Sequence, residues 1–320
     1  MVATLALIFG LSTLVFGLAL TWAGSFSLYT MAILVVSFNI IQWLIAPYLV
    51  GAIYKVREMK SDENPKLHQI VAELSRKSGI KAPKLMLAQI QLPNAFAYGS
   101  PVSGNRVAVT QGLLSNLNEG EVEAVLGHEL GHLKHRDVQV MMVVSFLPAL
   151  CYFIGYSLML SGMFGGNNQK NSNGNGAIIG IAFMAFSWIL NLFTLHVSRL
   201  REYYADRHSV SVVDDGANKL STGLAKIVHV SAKTSKTQQQ QQSKNFSGFK
   251  SLFIANPETA AEDSAQLNDF QSNQKLVDDL LAKKITFADK MIEALSTHPN
   301  IVKRLRALQE LSKNSPSYAV

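Results

Sequence analysis

Residues 127 to 137 read GHELGHLKHRD. His128 and His132 stand four apart, so on a helix of 3.6 residues per turn they differ by about 40° in direction and both imidazoles reach one ion. Glu129 follows the first histidine and is directed beside that ion, where it can act on a water. A zinc ion with three protein ligands lowers the pKa of its water to about 7 and polarises a carbonyl. Glu129 is then a candidate general base, taking the water's proton and returning it to a leaving amine. So short a pattern also arises by chance, and its surroundings have to support it.

A third ligand is expected from elsewhere in the chain. Glu202, in REYYADR, follows an apolar stretch just as the paired histidines precede one, and a carboxylate there completes a His, His, Glu set. Asp206, one turn further along, can accept a hydrogen bond from the non-ligating nitrogen of a histidine and so fix its tautomer. The plainer alternative is that Arg201, Glu202 and Asp206 form a solvated helix face. His135 rotates off the metal-facing side and is expected at the surface. Asp137 can cap a helix or pair with a neighbour. His68, His196, His208 and His229 have no partner at metal spacing and read as structural.

The elements that carry these residues follow from where charge is missing. Residues 1 to 54 contain no Asp, Glu, Lys or Arg, and between Val138 and Ser198 the only one is Lys170. Each block divides into two apolar runs, 2 to 22 and 29 to 54, then 138 to 163 and 177 to 196. All are long enough to cross a hydrocarbon core of about 30 Å, and four membrane spans are expected. The first run lacks the basic start of a cleaved signal peptide and is too long for one. Lys55, Arg57, Lys60, Lys134, Arg136, Arg199 and Arg201 all flank the spans on one side, which places the polar regions in the cytosol. The net charge of +7 is partly this retention signal and partly attraction to anionic headgroups, with no indication of nucleic-acid binding. Cys151 is the sole cysteine, so no disulfide or cysteine cluster forms within the chain.

The expected organisation is a transmembrane hairpin (1–54), a cytosolic core with the histidine helix (55–137), a second hairpin (138–198), and a cytosolic region (199–320) supplying the third ligand. In the core, periodicity predicts a helix from Pro65 to near Gly79, a strand at PKLMLAQI, and a hairpin of NAFAYG and NRVAVTQG. A helix capped by Asn118, with Glu121 three residues on, is predicted to run straight into the third span. Beyond the fourth span, helix is predicted to continue from Ser198 through the segment near 230. A mobile Gln-rich loop over 231–250, helices near 274–284 and 286–295, and a last helix with Ile301, Leu305 and Leu308 as its apolar stripe complete the chain.

NAFAYG, VAVTQGLL, EVEAVLGHELGHLKHRDV, REYYADR and STHPNIVKRLRAL together resemble, in order and approximate spacing, the HtpX-type membrane zinc peptidases. The resemblance extends over nearly the whole chain. It implies a mainly α-helical integral membrane protein with four transmembrane helices and a cytosolic zincin-like α+β region containing a small β-sheet. The implied activity is zinc-dependent endopeptidase action, at the cytosolic face of the plasma membrane, on unfolded or damaged membrane proteins. Carried over by position, His128, His132 and Glu202 hold one Zn2+ per chain, Glu129 is the base and Asp206 supports a histidine. His298 and Arg304 match a C-terminal motif; His298 is expected to stabilise an oxyanion, and Arg304 to brace the site or pair with substrate.

In that picture an edge strand at Asn94, Ala95, Phe96 and Ala97 offers backbone groups to an extended peptide, against the alternative of a hairpin simply packed on the core. Tyr98, where a smaller residue is expected, would narrow a subsite. Two competing functions stay open: a CAAX-prenyl-protease-like peptidase, and a catalytically silent zinc-binding scaffold.

Overall fold

The computed structural model describes residues 28–164, 175–238 and 273–314, with isolated positions 15, 20 and 24 before them. The chain divides into two compact units, Met1–Trp43 with Val138–Ser198, and Leu44–Asp137 with Arg199–Val320.

The first unit is apolar and helical. It contains the beginning of α1 (Leu28–Ile53), most of α5 (Asp137–Phe164) and the first part of α6 (Asn175–Val212). These three helices are long and apolar enough to cross a membrane. Four such spans are expected from the sequence; the first, 2 to 22, lies outside the described residues. Phe146, Leu147, Ile178, Trp188 and Phe193 are exposed on α5 and α6, as lipid-facing side chains would be. Gly155 and Gly180 let the two helices touch at backbone distance, since a Cβ on Gly155 would stand 2.6 Å from the Gly180 carbonyl oxygen.

The second unit holds a four-stranded sheet. Its strands are β1 (Val56–Glu58), β2 (Lys84–Ala88), β3 (Ala95–Ser100) and β4 (Gly104–Thr110), in the order β1-β2-β4-β3. β3 and β4 form the expected antiparallel hairpin, while β2 runs parallel to β4 and β1 antiparallel to β2. Sequence periodicity did not anticipate β1, which is three residues long and mostly exposed. The period of two in β2 sends Leu85 and Leu87 into the main core. Met86 and Ala88 face the other way, into a cluster with Tyr54, Phe96, Tyr98 and Ala108. Tyr98 is buried there and so does not narrow an open subsite.

Helices cover the sheet. α2 (Pro65–Ser78) begins with Asn64 accepting from the Leu67 N–H and stops at Gly79, whose left-handed φ of 68° favours glycine. α3 (Gln111–Asn116) is capped by Thr110, and α4 (Glu119–Lys134) starts in the expected capping box of Asn118 and Glu121. α7 (Gly216–Gln238), α8 (Asn273–Ala282), α9 (Phe287–Ala294) and α10 (Ile301–Asn314) follow. Leu67, Leu74, Leu126, Leu130, Leu220, Leu224, Leu305 and Leu308 meet in one core, each contributing about 1.5–3 kcal/mol by leaving water.

Three expectations are corrected. α4 does not run on into the third apolar helix. It ends at Lys134, Arg136 takes φ 53°, and a new helix starts at Asp137, because Asp137 is held by side chains described below. The helix after the fourth apolar run is likewise interrupted, by a turn at Val213–Asp215 with Asp215 at φ 54°. The Gln-rich loop does not begin at residue 231. α7 continues to Gln238, with Ser231 and Ala232 buried against the core and no Gly or Pro to stop it; residues 239–250 lie outside the described residues.

Candidate metal and catalytic site

α4 projects His128 and His132 from one face, with their ring centroids 4.7 Å apart and the rings perpendicular. Their Nε2 atoms lie 3.1 Å from each other. Glu202 on α6 completes the group, with Oε2 3.7 Å from His128 Nε2 and Oε1 3.7 Å from His132 Nε2. Bonds of 2.0–2.1 Å in a tetrahedron separate the ligand atoms by about 3.4 Å, and the three residues offer atoms all within 4.8 Å of one another. Glu202 Oε2 is buried and accepts no hydrogen bond among the described residues; Arg304 lies near enough to supply a counter-charge, and the lone pairs of that oxygen are left for a metal ion. The donor set fits zinc.

Each histidine is backed by a carboxylate, itself backed by an arginine. Asp206 Oδ1 stands 2.9 Å from His128 Nδ1. Arg304 grips the same carboxylate with Nε at 2.9 Å from Oδ2 and Nη2 at 2.6 Å from Oδ1, and its Nη1 lies 3.3 Å from Glu202 Oε2. Around His132, Nδ1 donates to Asp137 Oδ2 at 2.6 Å. Arg201 pairs with Asp137 Oδ1 and donates to the His135 carbonyl at 2.7 Å. With both Nδ1 atoms facing carboxylates, both Nε2 atoms are left to a metal.

Burial disfavours a charged His132, but the Asp137 hydrogen bond and the charges of Glu202, Glu129 and Asp137 outweigh it and raise its pKa to about 9 in the metal-free protein. For Arg304, burial acts downward, but the Asp206 and Glu202 carboxylates prevail and hold the guanidinium charged.

Two glycines set the distance between α4 and α6. A Cβ on Gly131 would stand 3.0 Å from Ala205 Cα, and one on Gly127 3.1 Å from Ser209 Oγ. Ser209 Oγ donates to the Ala124 carbonyl at 2.6 Å across the same contact. Glycines four apart on the histidine helix were the available sign of this approach, and sequence reading passed over them.

β3 lies at the sheet's edge, beside α4. The Ala97 N–H donates to Glu129 Oε2 at 2.7 Å, which holds the buried carboxylate against the strand. Not all of residues 94–97 offer backbone groups there. Asn94 exchanges both of its backbone bonds with Thr110, through the hydroxyl at 2.9 Å and the amide at 3.0 Å. By the alternation of an antiparallel ladder, the Phe96 backbone also turns toward β4 and those of Ala95 and Ala97 turn away from it; Ala95 is fully buried there, which leaves the half-buried Ala97 as the reachable point of the edge.

His298, in the link between α9 and α10, puts Nδ1 3.3 Å from Glu202 Oε2, and among the described residues neither ring nitrogen has a partner with good hydrogen-bond geometry. His135 is half-buried rather than fully at the surface, its ring 5.9 Å from that of His208. His208 Nε2 meets Ser78 Oγ at 2.8 Å, and His68 Nε2 meets the Met59 carbonyl at 3.1 Å. Both belong to the scaffold.

Residues 61–312 match the family model described as Peptidase family M48. The chain is 37% identical over 278 residues to a protein named Protease HtpX homolog from Thermoplasma acidophilum, covering 85% of this chain and 82% of that one. It is 37% identical over 290 residues to a protein of the same name from Aeropyrum pernix, covering 89% and 86%. Among solved structures, S. mikatae Ste24p shares the fold with a TM-score of 0.56 at 16% identity. That match takes in 93% of this chain and 62% of that one.

Proposed function

The chain belongs to peptidase family M48 and is a metalloprotease; from that premise we propose a zinc-dependent endopeptidase, anchored in the cell membrane by four spans, that cuts unfolded or damaged membrane proteins at the cytosolic face. The observation that carries this reading is the convergence of His128, His132 and Glu202 within 4.8 Å, beside a carboxylate, Glu129, that already touches an edge strand. The span count and orientation rest on the charge-free runs and on the Lys and Arg residues that flank them.

His128, His132 and Glu202 would hold the zinc ion. When bound, zinc supplies Lewis-acid polarisation of a carbonyl and a more acidic water. The edge of β3 at the half-buried Ala97 would pair with the backbone of an extended peptide, which gives affinity with little sequence preference. Glu129 accepts the water's proton at a carboxylate oxygen and delivers it to the departing amine. His298 would donate to the developing oxyanion. Asp206 and Asp137 fix the tautomers of His128 and His132, and Arg304, fully buried, braces Asp206 and does not reach substrate.

Glu129→Gln is the direct test. The purified variant should hold about one zinc per chain, as a mononuclear site requires, and lose cleavage of an unfolded protein substrate that wild type cuts in a chelator-sensitive manner. Zinc bound by both proteins with cleavage by neither would favour the silent scaffold instead.

A further inference from the structure

α9 is built inside out. Phe287, Ala288, Met291, Ile292, Ala294 and Leu295 are exposed, while Asp289 and Glu293 are the half-buried positions. The helix has no fully buried residue. Phe287 is 78% exposed and Leu295 60%. A helix on the surface of a water-soluble protein turns the opposite way, with its apolar stripe inward. Here the polar face makes the attachment, through Glu293, which pairs with Lys303 and accepts from the Asn300 N–H at 3.2 Å, while Asp289 caps the start of the helix itself with Thr286.

Where α9 is attached indicates what covers it. Arg199 donates through Nη1 to the carbonyls of Glu293, Ala294 and Ser296 at 2.9, 3.1 and 2.9 Å, so it grips the C-terminal end of α9. Arg199 is also the first charged residue after the charge-free part of α6, and α6 is unbroken through that point. The helix that leaves the bilayer therefore holds α9 within a turn of its exit. Lys284 and Lys290 are exposed on and just before α9, a complement to anionic headgroups.

We propose that α9 lies in the cytosolic membrane interface, with Phe287, Met291, Ile292 and Leu295 inserted among lipid headgroups and upper acyl chains. The occupant is lipid, and neither a second copy of this chain nor a soluble partner is needed. Because α9 leads within a few residues to His298, lipid contact steadies the link that brings His298 to Glu202. The inference rests on the reading of α6 as a membrane span, and its test separates the two.

The full-length protein with Cys151→Ser is reconstituted in nanodiscs of phosphatidylcholine and phosphatidylglycerol. Single nitroxides are placed at Met291→Cys, at Trp188→Cys on α6 and at Lys81→Cys on the polar unit, with zinc content as the check of folding. Collision with oxygen should exceed collision with a water-soluble nickel chelate at Met291 and Trp188, and the order should reverse at Lys81. Trp188 in lipid with Met291 as accessible to nickel as Lys81 overturns the interfacial helix and leaves the span intact. A Met291 label shielded from both reagents, with dipolar broadening between labels, overturns it in favour of a second copy. A Trp188 label that reads as aqueous removes the span and this inference together.

Discussion

The two histidines of the site are supported by the same sequence of groups, histidine to aspartate to arginine, in two different media. In the arm of His128, Asp206 and Arg304, the side chains are 1%, 3% and 2% exposed. In the arm of His132, Asp137 and Arg201 they are 20%, 12% and 18% exposed. The first is gripped by a two-pronged guanidinium, whereas the second is held through one nitrogen that is shared with a backbone carbonyl. Water can replace a missing member of the second arm. It cannot reach the first, where the loss of one charge strands another. One arm is therefore a condition of folding, and the other is an adjustable support.

The strongest way to break the comparison is at Arg304. Arg304→Met leaves Asp206 and Glu202 buried without their counter-charge, and removing one partner of such a pair costs about 3–5 kcal/mol. Thermal unfolding in detergent should show that loss, together with loss of bound zinc, while Arg201→Gln should cost no more than about 1 kcal/mol. Equal destabilisation would mean that burial does not distinguish the arms.

Next in size is metal affinity. Asp206→Asn should weaken zinc binding about 100-fold and Asp137→Asn about 10-fold, the two ends of the range for residues that orient metal-binding histidines. Competition with a fluorescent chelator measures both. A reversed order would make the more exposed arm the one that orients the metal.

A smaller effect separates the arms by pH. In the metal-free protein the His132 pKa is raised to about 9, above its unfolded value of about 6.5. The stability this contributes is complete below pH ~6.5 and is lost as pH rises through about 9. Asp137→Asn should lower the His132 pKa and flatten that decline, readable from ring proton shifts and from melting temperatures across the range. A decline of unchanged size would show that Asp137 is not its source.

Much of this was legible from residue types. The histidine helix, its cap at Asn118, the β3–β4 hairpin and α10 follow from periodicity and capping chemistry that act within a few residues. Glu202 and Asp206 could be singled out because they follow an apolar run as the histidines precede one. Asp137 was harder: an unbroken helix would carry it away from His132, and only the left-handed turn at Arg136 brings its carboxylate back. Arg201 could be seen only as a face residue, because its partner comes from that turn. The parallel pairing of β2 with β4 is non-local and leaves no periodic trace, and the inverted orientation of α9 depends on what Arg199 and Lys303 hold.

Gly127 and Gly131 give the site a sense of length. The helices carrying the histidines and Glu202 meet where side chains have been removed, and a single methyl at Gly131 would press on the backbone of Ala205 at 3.0 Å. A metal site tolerates displacements of only about 0.2 Å in its bonds. Affinity for the ion is thus a caliper closed on the gap between two helices, and any strain that spreads them, from however far away, registers first as a loosened metal.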